Sequence, residues 1–335
     1  MKTLIISHED VKRLLPMAEC IDVMENLFRA LARGDVILPL RQIIPQPDKK
    51  GLFGVMPAYL GSPRAVGGKF ITVFNGNRDT PYESHQGAVL LFECDNGRLL
   101  AIVDATSVTN IRTAAASGAA TRALCRKDAH SLAILGSGTQ ASTHLAAMRA
   151  VREITRVRVW SRNPEHARRF AQTEGSGGQR VDVSSSAEEA VSGADIICTT
   201  TAATGPILKG DWVSPGAHIN AIGASVTGYR ELDSRAMEMS KLYTDRRESL
   251  FSEADDFRIP LKEGAIKEDH VKGEVGEVII GKVAGRTSNT EITLFKSHGL
   301  AVEDLAAAHH VYTKAEEKRL GTWVEFSGER ETQSG

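Results

Sequence analysis

Cysteine is scarce and scattered in this chain: Cys20, Cys94, Cys125 and Cys198 stand far apart, with no Cys-x-x-Cys pair. That spacing offers neither a disulfide framework nor a thiolate metal site, and it reads as free buried thiols in a reducing compartment. An excess of one charge is also missing. Lys plus Arg number 41 and Asp plus Glu 42, a net charge of −1 without basic clusters, which argues against a nucleic-acid partner. No apolar run approaches the about eighteen residues that a membrane span requires. The opening Met-Lys-Thr-Leu-Ile-Ile-Ser-His-Glu-Asp has too short an apolar stretch before its acids to be a secretory signal, so the expected location is cytoplasmic. Internal repeats and low-complexity segments are absent too. What remains is an ordinary globular composition, 335 residues with 41% hydrophobic and 25% charged, long enough for two domains with separate cores.

The texture changes along the chain. From Asp10 to Arg33 the apolar residues Val11, Leu14, Leu15, Ile21, Val23, Met24, Leu27, Phe28 and Leu31 fall at helical spacing. Pro16 interrupts them and Gly34-Asp35 ends them, which predicts two helices. Short apolar runs between turn signals follow at 51–57, 68–77, 87–93 and 98–104, the pattern of an antiparallel sheet, with Asp95-Asn-Gly97 as a hairpin turn. Ser107 to Leu124 is rich in alanine and reads as a helix with close neighbours. From Ser131 strands and helices alternate, with strands expected at 131–135, 157–160, 195–200, 217–222 and 241–244, a loop at Gly175–Gly178, and a parallel sheet as the result. A last amphipathic helix spans Leu300 to Arg319, and the polar tail from Ser327 reads as frayed.

Within this alternation, Ala133 to Ala141 reads Ala-Ile-Leu-Gly-Ser-Gly-Thr-Gln-Ala. An apolar run thus flows into Gly-x-Gly-x-x-Ala and on into a helix. This is the turn by which a buried strand delivers a helix N-terminus to a dinucleotide pyrophosphate. Gly136 permits the tight turn, Gly138 lets backbone approach phosphate, and Ala141 lets helix and strand pack closely; Thr139 and Gln140 open the helix. A bare glycine pattern is weak, and the preceding strand, following helix and second strand at Val157-Arg-Val-Trp160 supply its context. NAD enzymes place an acid at the end of that second strand. Here the residues are Ser161, Arg162 and Asn163, and no acid occurs before Glu165. A guanidinium and two small polar groups suit a 2′-phosphate, so NADP(H) is expected over NAD(H).

The front half contributes three cations in apolar surroundings: Arg41 in Leu-Pro-Leu-Arg-Gln-Ile-Ile, Lys69 at the start of an apolar strand, and Arg112 opening Asn-Ile-Arg-Thr-Ala-Ala-Ala. Each alone is an ordinary salt-bridge candidate. Brought together they would form the pocket of fixed cations that a small carboxylate requires.

Several blocks carry a resemblance: Gly54-Val-Met-Pro-Ala-Tyr59, Ser84-His-Gln86, Val89-Leu-Leu-Phe-Glu93, Asn96-Gly-Arg-Leu-Leu-Ala101, Arg112-Thr-Ala-Ala115, Leu135-Gly-Ser-Gly-Thr-Gln-Ala141, Gly216 to Ser225, Arg230-Glu-Leu-Asp233, Glu274-Val-Gly-Glu-Val278 and Phe295 to Asp304. In these the chain resembles the ornithine cyclodeaminase/mu-crystallin family over almost its whole length. The resemblance implies an α/β protein: a Rossmann doubly wound parallel-sheet domain at 116–299, and an α+β substrate and dimerisation domain at 1–115 completed by 300–335. It implies a homodimer, a nicotinamide cofactor, and an active site at the junction of the domains. By position, Arg41 and Arg112 match the family's carboxylate-binding arginines and Lys69 its active-site lysine. Ser84, His85, Arg112, Thr113, Gly136, Gly138, Thr139, Gln140, Ser161, Arg162, Asn163, Thr201, Ala202, Ala203, Ser225 and Ser297 match cofactor- or site-lining positions.

Departures from the cyclodeaminase pattern choose among the family's reactions. Ser225 stands where cyclodeaminases carry an aspartate, and Gly54-Val55 stands where they carry a glutamate for the distal amine. The expected reaction is therefore NAD(P)H-dependent reduction of a cyclic ketimine carboxylate to L-proline or L-pipecolate, with Lys69 as proton donor, its pKa lowered by the two arginines. Alternatives are an alanine-type amino-acid dehydrogenase acting on a 2-oxo acid, an ornithine cyclodeaminase, and a non-catalytic ligand-binding protein. His85 and His298 are candidates for a place near the nicotinamide. Asp233 and Asp304 read as helix-end or structural acceptors, and His309-His310 lacks companions for a metal site.

Overall fold

The structure, a computed structural model, describes residues 2–77, 80–176 and 180–326. The expected tail from Ser327 and the Gly177-Gly178 part of the expected loop lie outside the described residues. Two compact units divide the chain, Met1–Arg112 with Leu300–Gly335, and Thr113–Gly299.

The first unit opens with β1 (Lys2–Ile6), followed by α1 (His8–Leu14), whose first turn is capped by Ser7 accepting from the Asp10 N–H. Pro16 cannot donate to a continuing helix; it stands as the N-cap of α2 (Met17–Arg33), which buries Cys20, Ile21, Met24, Leu27 and Phe28 on one face. Then come β2 (Val36–Ile37), β3 (Gln42–Pro45), β4 (Leu52–Leu60), β5 (Ala65–Val73), β6 (His85–Phe92) and β7 (Leu99–Asp104). The expected antiparallel meander is present as β4 to β7. Its last turn is built as read: the Glu93 carboxylate accepts from the N–H groups of Asp95 and Asn96, and the Gly97 N–H donates to the Glu93 carbonyl. Helix α3 (Ala105–Leu124) begins two residues before the predicted start, with Asp104 Oδ1 accepting from the Ser107 N–H at 2.8 Å. The division between the units falls within this helix.

The second unit alternates strand and helix. Its elements are β8 (Ser131–Leu135), α4 (Thr139–Val151), β9 (Arg156–Trp160), α5 (Pro164–Glu174), β10 (Val181–Val183), α6 (Ala187–Val191), β11 (Ile196–Thr199), β12 (His218–Ala221), α7 (Ser234–Glu238), β13 (Ser240–Thr244), α8 (Arg247–Glu253), α9 (Asp255–Glu263), β14 (Val271–Glu274), α10 (Val275–Ile279) and β15 (Ile292–Lys296). The sheet order is β10-β9-β8-β11-β12-β15-β13-β14, with every neighbouring pair parallel. The chain order reverses between β8 and β11, the topological switch of a doubly wound sheet. Strands β8, β11, β12 and β15 are buried at every residue, as central strands covered on both faces must be. Leu135, Ile197, Ile219 and Leu294 from these strands, with Leu242 from β13, share one core with Val191, Leu250 and Phe257 from the helices.

The chain then returns to the first unit as α11 (Ala301–Lys318) and β16 (Thr322–Glu325). Among the described residues this unit has a sheet of eight strands in the order β16-β1-β7-β6-β5-β4-β2, with β3 also paired to β4. Helix α11 packs on β4, β5 and β6 and is more deeply set than a simple amphipathic stripe: its first eight residues are all buried, including Glu303 and Asp304.

Candidate active site

Lys69 lies in the middle of β5, not at its start, and is only 3% exposed. Burying an ammonium among strands is costly unless the surroundings answer it. Two elements do so. Asp304 in the first turn of α11 places Oδ2 at 2.7 Å from Lys69 Nζ, and Thr109 on α3 accepts a hydrogen bond from it at 3.3 Å. One helical turn beyond Thr109, Arg112 is 4% exposed. Its Nε donates to Asp304 Oδ1 at 2.8 Å and its Nη1 to Glu303 Oε2 at 2.7 Å. Four charged side chains from a strand and two helices therefore form one buried cluster, with two cations answered by two carboxylates.

Met56 on β4 faces Lys69 on β5, Gln42 at the start of β3 faces Val55, and Arg41 is the residue just before β3. Met56 and Lys69 are a cross-strand pair, and Arg41 contributes to lowering the Lys69 pKa. The next row on the same face is Ile43, Gly54 and Ile71. The Met56–Lys69 pair and this apolar row lie side by side, about 7 Å apart as alternate residues of a strand are.

Burial is the main reason that the Lys69 pKa falls to about 8; the arginines add to this, and Asp304 opposes it. The sequence alone points only to the arginines. Burial also works against ionisation of Asp304, but Arg112 and Lys69 outweigh it and hold the carboxyl below its usual range. His85, the first residue of β6, is pushed down to about 4 by burial and by the nearby positive charge of Lys69 and Arg112, so its imidazole is neutral at physiological pH. Ser84 Oγ lies 2.9 Å from His85 Nδ1, and Thr106 Oγ1 donates to the His85 carbonyl at 2.8 Å.

The second unit presents a different chemistry. Gly136 has φ +128, where a side chain is strained, and a Cβ there would stand 2.4 Å from Thr200 Oγ1. The chain then enters α4 through Gly138, an N-cap residue with no side-chain cap bond and open space where a Cβ would be. An uncapped helix N-terminus approached by an open glycine fits the pyrophosphate of a dinucleotide. Ser161, Arg162 and Asn163 follow β9; Thr201, Ala202 and Ala203 follow β11; Ser225 follows β12; Ser297 follows β15. Because these strands are parallel, all of these segments leave the same carboxyl edge of the sheet, where open α/β sheets take their ligands. Thr113 lies on α3. Arg162 is exposed, Ser161 Oγ accepts from Ser137 Oγ at 3.0 Å, and Asn163 caps α5 by accepting from the Glu165 N–H. The first acid after β9, Glu165, is paired with Arg168.

Comparison with known proteins agrees with this architecture. The model of the ornithine cyclodeaminase/mu-crystallin family matches residues 1–319. The chain belongs to the ornithine cyclodeaminase/mu-crystallin family. A ketimine reductase mu-crystallin from Mus musculus is 44% identical over 280 residues, 83% of this chain and 85% of the mouse protein. The structure of a Thermococcus litoralis Δ1-pyrroline-2-carboxylate reductase, in complex with NADH and L-proline, is 39% identical with a TM-score of 0.93, covering 96% of this chain and 99% of that one. An archaeal alanine dehydrogenase, solved as a dimer with bound NAD, is 34% identical with a TM-score of 0.92, covering 98% and 100%.

From sequence alone Asp304 reads as a helix-end or structural acceptor, and nothing singles out Glu303. Both prove to be the counter-charges of the cation cluster. Acids in the first turn of a helix are ordinary companions of the helix dipole, which hid them. The available signal was their setting, Ala-Val-Glu-Asp-Leu-Ala-Ala-Ala, where apolar residues flank both acids so closely that no polar face remains for them. Asp233 is the helix-end acceptor expected, capping α7 through the Ala236 N–H. His298 pairs with Asp245 through Nδ1 at 3.0 Å.

Proposed function

We propose that this chain reduces a cyclic ketimine carboxylate, Δ1-pyrroline-2-carboxylate or its six-membered homologue, to L-proline or L-pipecolate. The observation that carries this reading is the buried Lys69–Asp304–Arg112–Glu303 cluster beside an apolar cross-strand row. Its two carboxylates are committed to Lys69 and Arg112, which leaves the Ile43–Gly54–Ile71 row to meet the rest of the substrate. That suits an acid with an uncharged ring better than a diamino acid with a second ammonium.

Arg41, with the N–H groups of Arg112 not committed to Asp304 and Glu303, holds the carboxylate. Lys69 donates a proton to the imine nitrogen, which raises the electrophilicity of the adjacent carbon. A group with pKa about 8 is mostly protonated at neutral pH and still acidic enough to transfer its proton. Asp304 keeps the ammonium charged; burial keeps it from being too weak an acid. When bound, reduced nicotinamide supplies the hydride that saturates the C=N bond. Net addition of hydride and proton converts imine to amine.

The second unit is the proposed dinucleotide-binding domain, 116–299 in the sequence division, and the remainder (1–115 with 300–335) the substrate and dimerisation domain. Gly136, Gly138, Thr139 and Gln140 are assigned to the pyrophosphate. Thr201, Ala202, Ala203, Ser225 and Ser297 are assigned to the nicotinamide half, with Ser84, His85, Arg112 and Thr113 as lining groups. Arg162, flanked by Ser161 and Asn163, favours NADPH over NADH because it offers a guanidinium to a 2′-phosphate while Glu165, the first acid after β9, is paired with Arg168. The free cysteines suit a reducing cytoplasm. A homodimer is favoured by the face of the first sheet opposite Lys69. Phe70 and Ile44 remain 39% and 59% exposed there, with Phe53 beside Phe70 at 6.5 Å between ring centroids. Phe70→Asp should shift the protein to monomer in sedimentation; an unchanged dimer would move the interface elsewhere.

Consumption of NADPH with five- and six-membered cyclic ketimine carboxylates tests the activity. Turnover of these imines is expected. Turnover of pyruvate with ammonium instead would make the protein an amino-acid dehydrogenase, ornithine consumption with NAD a cyclodeaminase, and no turnover at all a binding protein.

A further inference from the structure

The second unit contains a buried carboxylate that the reduction chemistry does not use. Glu231, between β12 and α7, is fully buried. Its Oε1 accepts from the Thr201 N–H and hydroxyl at 2.6 and 2.7 Å. Its Oε2 accepts from the Thr199 hydroxyl at 2.7 Å and the Gly223 N–H at 2.8 Å. Thr199 ends β11 and Thr201 lies in the segment after it; Gly223 lies in the segment after β12. The two backbones cross so tightly that a Cβ on Gly223 would stand 1.9 Å from the Thr201 carbonyl oxygen.

Glu231 is itself held in place. Asp256 Oδ1 accepts from the N–H groups of Glu231 and Leu232 at 2.8 and 2.9 Å. Lys296, fully buried at the end of β15, places Nζ 3.3 Å from Asp256 Oδ2 and donates to the Ala221 carbonyl at 3.4 Å. A single acid thus ties together two segments of the ligand-binding edge of the sheet, and a second acid with its lysine fixes that tie to the strands behind.

We propose that Glu231 is a positioning residue for the dinucleotide: it holds the segments after β11 and β12 in the conformation that presents Thr201–Ala203 and Ser225 to the cofactor. This rests on the assignment of those segments to nicotinamide binding. All four groups facing Glu231 are donors, so only an acceptor on both oxygens satisfies them. Glutamine would turn an amide N–H₂ toward donors and orphan a buried backbone N–H. Segments no longer held in advance must be ordered when cofactor binds, so the loss falls on cofactor affinity and not on the chemical step.

The test uses the full-length protein, with NADPH binding followed by fluorescence titration, the kinetics by KM and kcat, and the Thr201 and Gly223 amides by hydrogen exchange. Glu231→Gln should weaken NADPH binding about tenfold or more, the effect expected from one orphaned buried donor. It should raise KM for cofactor by a similar factor, speed exchange at both amides, and change kcat at saturating cofactor by less than about twofold. Thr199→Val removes one donor without changing shape and should move the same readouts in the same direction by a smaller factor; it decides the matter if the glutamine variant does not fold. Asp233→Ala, which removes the α7 cap nearby, controls for general loss of stability and should leave NADPH affinity unchanged. Wild-type affinity and slow exchange in the Glu231 or Thr199 variant would overturn the proposal, as would an affinity loss matched by Asp233→Ala. Wild-type protein that binds neither NADPH nor NADH would overturn the cofactor assignment itself, and the positioning role with it.

Discussion

Replacing Asp304 with asparagine removes one negative charge from between two buried cations and keeps the side chain's shape. Lys69 Nζ and Arg112 Nε lie 2.7 and 2.8 Å from its two oxygens. At an effective dielectric of about 20, unit charges so placed attract by about 6 kcal/mol. Spreading of the charge and relaxation of the neighbours reduce this, but a third of it, about 2 kcal/mol, exceeds the 1.4 kcal/mol that moves a titration by one pH unit. Burial, Arg112 and Arg41 then act on Lys69 without their opponent, and the ammonium should lose its proton below pH 7 instead of near 8. The profile of kcat/KM against pH, measured with the five-membered imine for both proteins in parallel, should show the alkaline fall displaced downward by at least about one pH unit. Near pH 7.5 the variant should be about tenfold slower, recovering toward wild type as the medium is acidified. Because the imine titrates identically in both assays, its own ionisation cancels. An alkaline limb unmoved from that of the wild type would refute the assignment of Lys69 as the acid and Asp304 as its support.

Arg41→Ala should raise KM for the imine by about ten- to a hundredfold with little change in kcat, the pattern of lost substrate binding; a fall in kcat alone in steady-state kinetics would contradict that role. Arg162→Ser should lower the ratio of kcat/KM for NADPH over NADH by about tenfold or more, and an unchanged ratio would remove Arg162 from cofactor selection. The Lys69 pKa of about 8 against 10.5 in an exposed lysine means that the unfolded chain binds more protons between those values. Stability attributable to Lys69 therefore rises with pH across that window, by a total of about 3 kcal/mol. Wild type minus Lys69→Met in denaturant-derived stability should climb from pH 8 toward 10.5; parallel curves would disprove the buried, discharged lysine.

The sequence showed most plainly what repeats locally. The antiparallel runs from residue 51 to 104 and the buried strands β8, β11, β12 and β13 were legible because hydrophobic pattern and turn residues agree. Strands β10 and β14 were not, being three and four residues long with polar flanks. Strand β15, Ile-Thr-Leu-Phe-Lys, has the apolar character of a central strand, but it follows a polar stretch with no predicted helix before it, and period alone does not distinguish it from a buried helical turn. Candidate residues followed the same rule. The glycine turn announces itself through spacing, and Arg41, Lys69 and Arg112 through charge in apolar context. Glu231 was inside a block noted for resemblance, yet its role depends on donors from Thr199, Thr201 and Gly223, which adjacency in sequence cannot reveal.

Arg112 meets its carboxylate partners across separations of 191 and 192 residues, with the entire second unit between them. A ribosome therefore completes the second unit before it has made the acids that neutralise Lys69 and Arg112. Until translation reaches Glu303 and Asp304, Lys69 and Arg112 lack the carboxylates that answer their charge in the folded unit, so a polypeptide cut short before α11 keeps the proposed proton donor but loses its counter-charge. Assembly of the proposed acid with its partner is thereby tied to synthesis of the segment that follows the second unit.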